Sequence, residues 1–439
     1  MTVPAITRGR ERGGERAGTA APLLRNGYAL MANTGVTAML GLAYWLLAAR
    51  LYPASAVGAG GAAVSALLFV AGIAQLNFMG AITRFLPVAG DGTARFLGAT
   101  YAISTAGAVI AGGIAVLTAS WWAAADSPLR SGAGMAVLFV VGVAAWCVFV
   151  LQDSALTAVR RAVWVPVENG LFGLVKIGLL AVFATLAVGR TSGAGILASW
   201  ALPAAACIIP VNAVLFRRFI PHHLATFRPT GVALTARRVA RFVAGDYVGS
   251  LFSQALISLM PLLVVGLAGS SAGGHFFVAW TVAVTLDLLS SNLATSMTVE
   301  GALDEGRIAQ YGREVLRRIV TVVVPIALAT AALAAVLLTF FGPGYRSDAT
   351  ALLRLLALAT IPKALATLSI GLCRVERRVA RIAAVQAAQA TLVLGVAAVL
   401  VPRLGITGAG LAALAGHTAV AAGVVASVRR RLTAVEVPA

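Results

Sequence analysis

The chain has 439 residues, 60% of them hydrophobic and only 11% charged, and carries a formal net charge of +19. Soluble domains hold about 25% charged residues, so this composition excludes a soluble globular protein. Repeated apolar runs of about 20 residues instead match the length at which a helix crosses the bilayer core.

Residues 1–26 contain the run Arg8-Gly9-Arg10-Glu11-Arg12 and no apolar stretch, and read as a disordered cytoplasmic tail rather than a cleaved signal. Six spans follow, at Gly27–Ala49, Ala56–Ile82, Phe96–Ser120, Gly132–Val150, Trp164–Val188 and Gly195–Phe216, making an N-lobe over 27–216. Residues 217–246 are the longest polar interruption and read as a basic connector. At 100° per residue Val232, Ala236, Val239 and Val243 share one face, with Arg237, Arg238 and Arg241 opposite. That pattern predicts a helix lying on the membrane surface, valines in the acyl boundary and arginines among headgroups. Six more spans, Tyr247–Gly269, His275–Thr298, Ile319–Phe341, Ala349–Cys373, Ile382–Val401 and Gly408–Val428, make a C-lobe over 247–428, with a tail at 429–439. The expected fold is an all-α polytopic membrane protein, 12 transmembrane helices in two six-helix lobes.

Alternating these spans from an inside N-terminus puts 26 arginines on the inner side. Only Arg50, Arg130, Arg190, Arg346 and Arg403 fall outside. This is the positive-inside asymmetry, and it predicts an inner-membrane protein with both termini cytoplasmic. It also explains the positive charge without nucleic acid.

An internal repeat orders the two halves. Gly58 and Gly274 stand 216 positions apart, each in a turn feeding a long span. Arg160-Arg161 and Arg377-Arg378 are offset by 217. The entries to spans six and twelve, Ser192-Gly193-Ala194-Gly195 and Thr407-Gly408-Ala409-Gly410, are offset by 215. An even number of spans per repeat predicts lobes related by a pseudo-two-fold axis along the membrane normal, with a cavity between them.

Three segments carry a family likeness: the Leu51-Tyr52-Pro53 to Gly58 turn, the Thr83-Arg84-Phe85-Leu86-Pro87 exit of span two, and the Val401-Pro402-Arg403-Leu404-Gly405 to Gly410 turn. Together they resemble the polysaccharide-transporter (Wzx-like flippase) branch of the MOP (multidrug/oligosaccharidyl-lipid/polysaccharide) exporter superfamily, over Gly27 to Val428. The resemblance implies alternating access, and movement of a polyprenyl-pyrophosphate-linked oligosaccharide to the outer leaflet. It also implies a central cavity ringed by spans one, two, seven and eight.

No enzyme motif, nucleotide-binding loop or metal-ligand spacing is present, so the reading is a non-enzymatic transporter without cofactor. Its partners would be the lipid-linked oligosaccharide, membrane lipids, an H+ or Na+ gradient and polysaccharide-assembly proteins. Charges within spans are the candidate machinery, because burying them is costly. Lys176 and Lys363, the only lysines, sit near mid-span and suit a phosphate, or else a buried carboxylate such as Asp287. Asn169 shares a helix face with Lys176. Asp287 and Glu168 are candidate coupling-ion groups, the alternatives being a lysine partner for Asp287 and Arg160 or Arg161 for Glu168. Asn33, Asn77, Gln254 and Asn292 are candidates for sugar hydroxyls or for interhelical bonding. Arg84 is a candidate for the incoming pyrophosphate or a topology anchor. Two other functions compete. A MATE-type multidrug/cation antiporter would want a carboxylate in span one, which offers only Asn33. A membrane glycan polymerase or ligase works on a sizeable outer loop, whereas the longest here runs from Trp121 to Ser131.

Overall fold

The computed structural model describes residues 32–186, 190–227, 235–303 and 307–433. The first 31 residues, connector positions 228–234, including Val232, and the last six lie outside the described residues. Among those described there is no strand, and twelve helices are long and apolar enough to span a membrane. They are α1 (Ala32–Leu51), α2 (Ala54–Ala74), α3 (Gly90–Leu117), α4 (Ala133–Ala158), α5 (Trp164–Thr185), α6 (Ala194–Ala225), α7 (Tyr247–Ala268), α8 (Ser270–Thr298), α9 (Ile308–Ala332), α10 (Pro343–Val375), α11 (Val379–Leu404) and α12 (Ile406–Thr433).

Within the N-lobe α4 packs on α3 and α6, and α6 on α5; in the C-lobe α10 packs on α9 and α12, and α12 on α11. Each contact has its counterpart one repeat later, which gives the two lobes one internal plan. They meet mainly where α2 lies against α7 and α8. Gly58 and Gly274 are central there. A Cβ on Gly58 would strike the Ser270 carbonyl and the Gly274 amide, and one on Gly274 would strike the Ala54 carbonyl. Ala54 and Ser270 are themselves 216 apart, so the contact is self-complementary about the pseudo-two-fold axis. Small residues let two backbones touch where lipid supplies no hydrophobic drive. Ser270 Oγ also hydrogen-bonds Asp126 Oδ1 at 2.7 Å, and Arg50 donates to the Phe340 carbonyl at 2.7 Å. These contacts close the seam on the side away from the connector.

The Arg160 and Arg377 turns are also equivalent. Both residues are left-handed (φ 60° and 57°), and the following amide reaches back to Leu156 or Cys373 at 2.8 Å, a helix-ending turn. The third repeat match needs re-registering. Gly193 has φ 72° before α6, but the left-handed glycine before α12 is Gly405 (φ 58°), whereas Gly408 lies inside the helix.

The span expected at Ala56–Ile82 is not continuous. Leu76 and Asn77 are left-handed (φ 48° and 57°), ending α2 and starting a short helix at Phe78–Phe85. Asn77, a candidate sugar ligand, sits at this break, and asparagine tolerates the left-handed region better than most residues. The connector does not hold a separate helix lying on the membrane surface, as its valine stripe predicts: among the described residues its second half starts the helix that continues into the membrane. α6 runs on to Ala225, and α7 is the membrane part of a helix starting at Ala236, where the Thr235 side chain caps the Arg238 amide. Residues 429–433, expected in a tail, end α12.

Candidate functional site

A cavity of about 390 Å³ lies between the lobes. It is lined by α1, α2, α7 and α8 as expected, and also by Trp146 of α4, Trp200 of α6, and Asn169, Phe172 and Lys176 of α5. Lys176 is the only charged residue in that lining, which contains no carboxylate. Its side chain is 5% exposed. The ammonium stands 4.0 Å from the Trp200 ring centre, 4.7 Å from Tyr44 and 5.1 Å from Phe172. Trp146 backs this cage, 5.4 Å from Trp200 and 5.6 Å from Phe172. The Tyr44 hydroxyl is held by Ser199 Oγ at 2.7 Å, which fixes its ring. Aromatic faces stabilise a desolvated cation by about 0.5–2 kcal/mol each, which offsets part of its burial. Among the described residues Lys176 has no ion pair or hydrogen bond.

Asn169 and Lys176 share one wall, as their spacing predicts. Asn169 Nδ2 donates to Asp153 Oδ2 at 2.9 Å. Asp153 begins a polar network outside the lining, on α4, α5 and α6. Gln152 donates to Glu168, and its own oxygen accepts from Asn212 at 2.8 Å. Glu168 pairs with neither Arg160 nor Arg161; the Arg161 guanidinium lies over Phe219 instead. Glu168 Oε2, Asp153 Oδ1 and Asn212 Oδ1 are buried acceptors without a donor, and the buried Tyr101 hydroxyl is also unpartnered. Two carboxylates with no basic neighbour at hydrogen-bond distance need a proton or a cation to stay in the membrane.

The C-lobe is arranged differently. Lys363 Nζ binds Asp287 Oδ2 at 2.5 Å, so of the two alternatives read for these residues the structure has the lysine–carboxylate pair, not a lone coupling carboxylate and a free charge. This pair lines a second cavity of about 310 Å³ with Arg374, Gln386 and Gln389. The two cavities adjoin at Ile257, Val284 and Leu288. Gln389 faces His417 Nδ1 at 3.4 Å.

The remaining candidates are dispersed. Gln254 bonds the Leu68 carbonyl (3.3 Å) and Ser258 (3.0 Å), tying α7 to α2. Asn33 keeps a buried unpartnered Oδ1, near the start of α1. Asn292 is exposed on α8. Arg84 stacks over Phe242 (4.9 Å) and Phe85 (5.7 Å), clasping the connector helix to the N-lobe. Sequence reading missed Asp153, which lay beyond the expected end of span four, and missed the cage. The i, i+4 spacing of Phe172 and Lys176 was its one local signal.

No family model matches the chain, and no curated protein matches it. Solved structures do. An inward-facing multidrug resistance MATE family transporter of the MOP superfamily is 16% identical, covering 91% of this chain and 95% of that one with a TM-score of 0.67. An outward-facing one, also 16% identical, covers 94% and 96% with a TM-score of 0.58. A MOP superfamily transporter from Pyrococcus furiosus, whose binding pocket is described as of reverse polarity, suggesting a different function, is 14% identical over 94% and 96% with a TM-score of 0.57. The chain thus has the two-lobed fold of MATE family transporters.

Proposed function

We propose that the protein is an alternating-access transporter for an anionic amphiphile, and that its cargo is a lipid-pyrophosphate-linked oligosaccharide. The observation that carries this reading is the lining of the central cavity: aromatic walls, one caged ammonium, no carboxylate. A phosphate entering there becomes the counter-ion that Lys176 lacks, and the rings flank it as apolar surface. An organic cation would meet a like charge in a desolvated space. The positive-inside charge pattern supports a cytoplasmic connector and termini in an inner membrane. The closed seam at Gly58 and Gly274 then faces outward, and the cavity loads from the cytoplasm. The higher TM-score against an inward-facing relative agrees with that assignment.

Coupling is assigned to Glu168, joined by Asp153, whose Oδ2 accepts from Asn169 on the cavity wall. That same acid pair favours the second reading, a MATE-type cation antiporter, which the fold supports equally. Proteoliposomes separate the two. The first reading expects translocation of a fluorescent polyprenyl-pyrophosphate oligosaccharide, lost in Lys176→Ala and Lys176→Glu. If wild-type protein instead exports a cationic dye and ignores the glycolipid, with Lys176→Ala speeding export, the antiporter reading takes its place.

A further inference from the structure

A cavity of about 960 Å³ lies at the seam between the lobes, apart from the central one. Its N-lobe wall is the first turns of α3, with Phe96, Ala99 and Ile103, and the break after α2. Its C-lobe wall is the connector helix, presenting Val239, Val243 and Tyr247. The valine stripe is therefore turned towards the N-lobe, where Val239 and Val243 also pack against the cluster around Phe78 and Phe85. Arg237, Arg238 and Arg241 stay exposed.

The polar groups of this lining are accounted for except one. Thr100 donates to the Leu97 carbonyl (2.8 Å), Thr235 caps the connector helix, and Tyr247 donates to the Ile73 carbonyl (2.9 Å). Arg95 is the only charged residue of the lining, and among the described residues its guanidinium has no partner. An otherwise satisfied apolar chamber with one free guanidinium at the membrane-surface end of α3 calls for a ligand with an apolar body and an anionic head.

We infer that this seam is a specific site for one anionic glycerophospholipid, acyl chains in the chamber and headgroup phosphate on Arg95. A guanidinium matches phosphate oxygens with paired hydrogen bonds, and the exposed connector arginines add attraction for an anionic surface. Free phosphate would leave the apolar walls unfilled, and a zwitterionic lipid would fill them with less attraction at Arg95. Because the walls belong to different lobes, a bound lipid bridges them and stabilises the seam at this width. This inference needs only a membrane-embedded protein and does not depend on the cargo.

Native mass spectrometry and thermal melting of detergent-purified protein with added phosphatidylglycerol or phosphatidylcholine test it. Wild-type protein is expected to retain phosphatidylglycerol about tenfold better than phosphatidylcholine, the order of one charge-assisted contact, and to melt higher with it. Arg95→Gln should erase that preference, while Arg429→Gln, at the far end of α12, should keep it. Ala99→Trp, which fills the chamber, should lower retention of both lipids; if it does not fold, the Arg95 comparison decides alone. Equal retention of the two lipids by wild type, full preference in Arg95→Gln, or equal stabilisation by inorganic phosphate would each overturn the site.

Discussion

Lys176 in α5 and Lys363 in α10 are the only lysines of the chain, one per lobe, and their surroundings differ in kind. Lys363 has Asp287 at 2.5 Å, with both side chains about one-fifth exposed in a polar cavity. Lys176 has three aromatic faces, no counter-ion, and a place on the wall between the lobes. The carboxylates show the same contrast: Asp287 has its cation, whereas Asp153 and Glu168 have amides and unmatched oxygens. One helical plan, used twice, thus carries a closed ion pair in one lobe and three groups without an ion-pair partner, one basic and two acidic, in the other. The internal repeat preserves backbone turns and lets the chemistry diverge. Charges left open within the membrane are the ones available to a ligand or a proton.

The sharpest way to break this comparison is to remove each lysine. Lys363→Met strands Asp287, and removing one partner of a buried pair costs about 3–5 kcal/mol, so the melting temperature should fall steeply. The double change Lys363→Met with Asp287→Asn should recover most of that loss. Lys176→Met should hold or raise stability, because it removes an uncompensated charge, while abolishing transport. If thermal melting shows the two single variants equally destabilised, Lys176 is a structural cation like Lys363.

A second test addresses the shared plan. Gly58→Leu and Gly274→Leu place a side chain into the backbone of the opposite lobe, and overpacking of this kind costs about 1–3 kcal/mol. Since the contact is symmetric, the two variants should behave alike, each opening the seam away from the connector. A cysteine at Ala54 should become more reactive to a membrane-impermeant thiol reagent in both. Unequal reactivity would show that the seam does not work as a two-fold contact.

How much was legible beforehand follows from the same division. Hydropathy gave twelve spans because backbone satisfaction in lipid leaves helices little alternative, and two of three repeat matches mark equivalent turns because a left-handed residue or a close glycine leaves a local trace. The central site, lining and cage together, was legible only in part. Phe172, Asn169 and Lys176 share a face of one helix, which spacing encodes. Tyr44, Trp146 and Trp200 come from three other helices, and the register between helices is set by tertiary packing. Asp287 and Lys363, 76 residues apart, meet for the same non-local reason. Asp153 was lost to a boundary error, since a helix can run two turns past the point where its apolar character fades.

Neutralising the acid network probes the N-lobe side more gently. Glu168→Gln and Asp153→Asn each remove a charge that no basic group balances, so stability should rise by about 1 kcal/mol, the order of one relieved unsatisfied group. Transport should lose its dependence on an imposed pH or cation gradient. A variant that still follows the gradient with wild-type steepness would remove that residue from coupling.

The smallest expected effect lies in the equivalent turns. Arg160 and Arg377 both hold left-handed backbone at the end of a helix, a conformation that costs an L-residue about 1–2 kcal/mol and glycine little. Glycine loses more entropy on folding, about 0.5–1 kcal/mol, so each Arg→Gly change should yield a net gain below about 1 kcal/mol. The two turns share their left-handed φ and a closing amide bond of 2.8 Å, so the two gains should be alike in thermal melting. Unequal gains would show that these turns are equivalent in backbone shape but not in energy.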